Sequence, residues 1–102
     1  MAKEPGGWKR MSKQDTENTL NLYMRDRMGR YMMVSMWHYN RELIIGVGTI
    51  PQPVWAKDPH LRTYEIFKID HGYHTLLGEK KKKKNATAFA YREMLKAAPR
   101  IF

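Results

Sequence analysis

The longest regular pattern of apolar positions lies between Lys13 and Leu43. Four apolar residues recur there at spacings of four, four and three: Leu20, Met24, Met28 and Tyr31. This spacing is typical of one face of an α-helix. The stretch has no proline and one glycine, and its Met, Leu and Arg side chains lose little freedom in a helix. The pattern predicts one long helix over residues 13–43, on the order of 45 Å in length.

The segment before this helix is basic and rich in turn-forming residues. Its proline and two glycines predict a flexible basic arm over residues 1–12, with Trp8 as an anchor. Ser12, followed three residues later by Asp15, resembles a capping box. The helix is therefore expected to begin just after Ser12.

The middle of the chain is richer in β-branched residues. Residues 44–58 predict an extended segment, because two glycines and then two prolines interrupt the apolar run. Residues 59–78 predict a small β region, with a strand over Arg62–Ile69. The turn signal Asp70–Gly72 follows, and then a second short strand over His74–Leu77.

The end of the chain combines a charged run with a second helical pattern. Residues 79–84 contain five consecutive lysines, which are typical of a solvated tether. Residues 85–98 predict a C-terminal helix that is capped by Asn85 and ends before Pro99. Tyr91 and Leu95 lie on its apolar face, and Phe89 lies on the other side.

These elements predict one small domain, residues 1–102, that is mainly α-helical with a small β element and is extended rather than globular. A long helix in so short a chain exposes more apolar surface than the chain can cover, so we expect its apolar face to lie against a partner. The residues that we assign to this partner interface are Leu20, Met24, Met28, Tyr31, Trp55, Phe89, Tyr91 and Leu95.

The charge of the chain points to an anionic partner. The formal net charge is +9, which favours nucleic acid, acidic lipid headgroups or an acidic protein surface. Basic clusters with aromatic neighbours bind phosphates and bases, but they also form solvated surfaces or contact acidic proteins. Candidate anion or RNA contacts lie in three clusters: Lys9 and Arg10; Arg25, Arg27 and Arg30; and Lys80, Lys81, Lys82, Lys83 and Lys84.

Catalytic and metal chemistry have little support in the sequence. Without cysteine, the chain has no disulfides, thiolate nucleophile or cysteine-containing zinc site. His71 and His74 are spaced so that a strand would place them on opposite faces, and neither His60 nor Asp70 completes a convergent ligand set. No serine, threonine or lysine lies beside an evident base. We expect no enzyme activity, no metal, no cofactor and no small-molecule substrate.

Membrane insertion is also not expected. The most apolar window, Tyr31–Ile50, carries Arg41 and Glu42 near its centre. Each such charge costs about 2.5–3.5 kcal/mol at the middle of a membrane-spanning helix. The basic N-terminus is not followed by the apolar run of a secretory signal. A peripheral position near a membrane is compatible with this pattern, and a mitochondrial location is the expectation.

One segment resembles a known family. The residues Pro59-His60-Leu61-Arg62, Phe67 and Gly72–Leu77 resemble the tail of cytochrome c oxidase subunit VIa, over about a fifth of the chain. The resemblance implies a non-catalytic, peripheral role in the oxidase with no cofactor of its own.

Two functional hypotheses follow. The first is a non-catalytic accessory subunit of a large mitochondrial assembly, most simply a respiratory-chain complex, held by other protein subunits. The alternative is a ribosomal or mitoribosomal protein that binds rRNA through its basic clusters. Salt distinguishes them, because phosphate binding weakens steeply with salt concentration and docking through apolar surface does not.

Overall fold

A five-stranded antiparallel sheet forms the centre of the protein. The computed structural model describes residues 5–27, 29–40, 42–51, 57 and 62–97. Neighbours in the sheet are also neighbours in the chain. The strands are β1 (Lys9–Arg10), β2 (Met33–Tyr39), β3 (Leu43–Pro51), β4 (Arg62–Asp70) and β5 (Tyr73–Lys80). The helices are α1 (Lys13–Tyr23), a 3-10 turn (Arg25–Arg27) and α2 (Lys83–Ala97).

Local turn chemistry fixes the register of the hairpins. His71 and Gly72 join β4 to β5 with φ values of 51° and 89°, as a two-residue hairpin turn of type I′ requires. Asn40, between β2 and β3, has a φ of 57°, which asparagine tolerates better than most residues. Ile45 and Val47 on β3 consequently lie beside Trp37 and Ser35 on β2.

One face of the sheet packs against α2. Ala86, Ala90 and Met94 recur every four residues and are fully buried, so they form the contact face of this helix. The alanines are small and let α2 approach the sheet closely. The other buried residues of this core are Trp8, Trp37, Ile45, Val47 and Ile66.

The opposite face of the sheet is covered by α1 and the segment that follows it. The buried residues of this second core are Met24, Met36, Ile44, Phe67 and Ile69. Two glycines of β3 make room for aromatic rings: a Cβ at Gly46 would lie 2.3 Å from the Phe67 ring, and one at Gly48 would lie 2.4 Å from the Tyr31 ring. The two rings stack with their centroids 6.0 Å apart. Gly46 and Gly48, which interrupt the apolar pattern of the sequence, therefore allow the two aromatic rings to pack closely against β3.

The predicted fold class is wrong. Strands rather than helices dominate the described chain, and the radius of gyration of 13.8 Å is close to the value of about 13 Å that is usual for compact chains of this length. The extended, mainly α-helical shape followed from the predicted helix over residues 13–43. That helix ends at Tyr23, and part of the remaining stretch forms β2.

Several boundaries also differ from the prediction. β3 forms in the first part of the predicted extended segment, residues 44–58. The lysine run is not a tether, because Lys80 ends β5 and α2 begins at Lys83, before the predicted cap Asn85. Other elements agree with the prediction. Ser12 caps α1 by accepting a hydrogen bond from the Asp15 N–H at 3.1 Å.

Candidate nucleic-acid interface

The five lysines lie where β5 passes into α2. The Nζ of Lys80 lies 5.4 Å from the centroid of the Phe89 ring, and Lys81 donates a hydrogen bond of 3.2 Å to the Thr63 hydroxyl. Lys82 lies in the short connection, and Lys83 and Lys84 form the first turn of α2. We call Lys80–Lys84, together with the first turn of α2, the lysine junction.

The lysine junction concentrates positive charge from two sources. The first is the side chains, since no carboxylate of the described residues forms an ion pair with Lys80–Lys84. The second is α2 itself, whose first turn contains no acidic residue. The exposed backbone N–H groups of a helix N-terminus carry about half a positive charge. The charges of the lysines and of the helix N-terminus repel one another, so the lysine junction favours a bound anion.

Arg30 lies on the same end of the sheet, but its charge is compensated. Its guanidinium contacts both carboxylate oxygens of Glu65, at 3.4 and 3.1 Å, and the Tyr31 hydroxyl donates to Glu65 at 2.8 Å. Hydrogen bonding to Glu65 and its charge raise the pKa of Arg30. Glu65 and Thr63, the partners of Arg30 and Lys81, are two residues apart on β4, so their Cα atoms are about 7 Å apart.

The other predicted basic residues lie elsewhere. Lys9 and Arg10 form β1, at the opposite edge of the sheet from β5. At the usual spacing of strands, β1 and β5 are about 19 Å apart. Arg25 and Arg27 belong to the 3-10 turn after α1. The cluster of Lys9 and Arg10 is therefore not continuous with the lysine junction, which is the densest of the three basic clusters of the sequence.

Most of the predicted interface residues pack inside the protein itself. Met24 is fully buried, and Leu20 and Tyr31 pack against the same core. Phe89 and Tyr91 pack between α2 and the sheet, where the Tyr91 ring meets Trp37 edge to face. Leu95 differs from them with an exposed fraction of 66%. Met28 and Trp55 lie outside the described residues.

The buried carboxylate of Glu65 was not predicted from the sequence. Its exposed fraction is 3%. A period of two places Glu65 on the same sheet face as Phe67 and Ile69, and this signal was available in the sequence. Its partners Arg30 and Tyr31 are more than thirty residues away in the chain, so no local pattern could identify them.

The histidine cluster does not form a metal site within the described part of the chain. The Nδ1 of His71 lies 2.6 Å from a carboxylate oxygen of Asp70, and its Nε2 lies 3.2 Å from a carboxylate oxygen of Glu42. The two carboxylates thus lie on opposite edges of the ring and do not converge on one point, and no group of three or more candidate ligands is found among these residues. His60 lies outside the described residues.

Neither helix of the described chain is long and apolar enough to cross a membrane. Comparisons with protein-family models, curated proteins and solved structures find no match for this chain. The resemblance of residues 59–77 to the tail of cytochrome c oxidase subunit VIa therefore stays a prediction, and its first residues, Pro59–Leu61, lie outside the described part.

Proposed function

We propose that this protein is a non-catalytic nucleic-acid-binding protein that contacts the phosphate backbone through the lysine junction. The observation that carries the proposal is the run of five lysines that leads into a 15-residue helix, without a carboxylate partner in the described chain. Phosphate oxygens accept hydrogen bonds from lysines and from backbone N–H groups at a helix N-terminus. Such contacts supply affinity without reading sequence.

A salt titration of binding tests this proposal. Fluorescence anisotropy measures the affinity for a labelled DNA duplex and a labelled single-stranded RNA between low and physiological salt. The test variant replaces Lys82, Lys83 and Lys84 with glutamine. Each lost phosphate contact should reduce the slope of log K against log salt by about 0.9 on the duplex and about 0.7 on the single strand.

The matched control removes the same charge from β1, at the opposite edge of the sheet, and from the start of α1, through Lys9→Gln, Arg10→Gln and Lys13→Gln. We expect this variant to keep most of the wild-type slope, because its residues belong to another surface. Equal losses of slope in the two variants would mean that binding depends on net charge alone. Failure of the wild type to bind either probe at low salt would refute the proposal.

A second candidate function is the accessory-subunit role, in which partner proteins hold this chain in a mitochondrial assembly. It no longer has the support of a long exposed helix. A different observation favours a protein partner, namely the neighbouring exposed side chains of Met32 and Met33, with exposed fractions of 51% and 61%. Methionine is adaptable and common at protein-binding surfaces. Affinity purification of the tagged protein distinguishes the two functions by whether nucleic acid or protein subunits accompany it.

A further inference from the structure

A groove separates α1 from the open edge of β2. β1 pairs with His38 and Trp37, and the Met11 N–H donates to the Met36 carbonyl at 2.9 Å. The chain then turns away into α1. Within the described chain, no strand covers the outer edge of β2 from Met33 to Ser35. The groove beside this edge has a volume of about 520 Å³.

The backbone of β2 offers hydrogen bonds to this groove. Antiparallel strands bond to one neighbour with every second residue and to the other neighbour with the residues between. Met36 uses its carbonyl toward the β1 side. Val34, two residues earlier, therefore directs its N–H and C=O to the same side, where β1 would continue if it were longer. An unpaired edge of this kind is a template for an added strand.

The two walls of the groove differ in chemistry. Arg10 lies on the face of Trp37, 5.8 Å from the ring centroid, and donates to the Ser35 hydroxyl at 3.2 Å. No carboxylate of the described residues forms an ion pair with Arg10. The opposite wall, toward α1, has the apolar side chains Met11, Leu20 and Val34. To this wall α1 adds the polar residues Lys13, Thr16 and Glu17.

We propose that this groove binds an extended peptide that adds a strand to the edge of β2. Side chains alternate between the two faces of a strand, so one face of the peptide would point to the side of Arg10 and the other face to the side of Met11, Leu20 and Val34. The ligand is thus a segment with alternating acidic and apolar residues. Strand addition beside a helix is a recurrent mode of peptide recognition, with main-chain bonds giving affinity and side-chain pockets giving specificity.

The direct test uses a fluorescein-labelled peptide with three Glu-Leu repeats. In a strand that pairs along one edge, the amides of alternate residues face the partner and the others face solvent. Two further peptides carry N-methyl groups, either on all leucine amides or on all glutamate amides. We expect one methylated peptide to bind like its parent and the other about ten-fold more weakly or worse, since it loses two or more hydrogen bonds.

A pair of variants locates the site. Arg10→Gln should weaken binding of the Glu-Leu peptide by up to about five-fold, as expected for an exposed ion pair. Arg92→Gln removes the same charge from an exposed position on α2 and should leave affinity unchanged. Equal effects of the two methylations, or equal effects of the two variants, would overturn the proposal. So would the absence of binding at peptide concentrations of about 1 mM.

Discussion

Gly46→Ala is the sharpest test of how the second core is built. The new Cβ would lie 2.3 Å from the Phe67 ring, whereas ordinary contacts begin near 3.4 Å. The ring must therefore move by about 1 Å. Phe67 is 1% exposed and stacks on Tyr31, whose hydroxyl is held by Glu65 at 2.8 Å. The ring consequently cannot move without disturbing a second ring and a buried carboxylate.

The expected magnitude follows from two opposing effects. Overpacking a core in this way typically costs 1–3 kcal/mol, roughly, while replacing glycine with alanine reduces the entropy of the unfolded chain and returns about 0.4–1 kcal/mol. We expect the free energy of unfolding to fall by about 1–2 kcal/mol. This is a large part of the roughly 5–15 kcal/mol that stabilises a typical domain.

Urea denaturation followed by tryptophan fluorescence measures this change, because Trp8 and Trp37 are 5% and 4% exposed in the native state. Gly6→Ala is the matched control, since a Cβ at Gly6 meets nothing within 4 Å. It should leave stability unchanged or raise it slightly. In a Phe67→Leu background the cost of Gly46→Ala should shrink. An undiminished cost there, or a Gly46→Ala variant as stable as wild type, would refute the packing argument.

Two further predictions concern the core and the hairpin ends. Met24→Ala should lower the free energy of unfolding by about 2–5 kcal/mol because Met24 is fully buried, while Leu95→Ala on the surface should change it little in the same urea assay. Asp70 and Glu42 raise the pKa of His71, so its stabilising charge is present below pH 6.5 and lost as the pH rises through the raised pKa. His71→Asn should therefore reduce the fall in urea midpoint above pH 6.5, and an unchanged pH profile would contradict this.

The C-terminal half of the fold was largely predictable from local sequence. The strand from Arg62, the turn at His71 and Gly72, and the second strand appear close to where they were predicted. The reason is that β propensity, turn chemistry and tertiary packing agree there. The C-terminal helix was also predicted, although it begins two residues earlier than expected.

The N-terminal half was not predictable in the same way, because its local and tertiary preferences conflict. Met24 and Tyr31 share a helical spacing, yet each reaches the second core from a different local structure. β2 is partly buried on both faces, so the alternation that marks a half-exposed strand is blurred. Gly29, with a φ of 88°, was the local signal against a continuous helix.

The two candidate surfaces also differ in how far the sequence predicts them. The lysine junction was evident as a charged run directly before a predicted helix, but the sequence placed the start of that helix at residue 85 and so did not assign Lys83 and Lys84 to its first turn. The groove beside β2 was invisible, because it is formed by α1 and β2 after the predicted helix is divided between them. Features that arise from packing of separate elements have no local signature.

The contrast between the two α-helices bears directly on the role of the lysines. α1 begins with Ser12 as its cap and Asp15 in its first turn, which suit the positive end of a helix. α2 begins with Lys83 and Lys84 and has no acid in its first turn, which opposes that end. Such a conflict between local preference and structure is typical of functional sites. If the lysines serve binding at the expense of stability, replacing Lys82, Lys83 and Lys84 with glutamine should raise the urea midpoint while weakening nucleic-acid binding. These opposite signs would separate a binding function from a folding role, since a structural role predicts a lower midpoint.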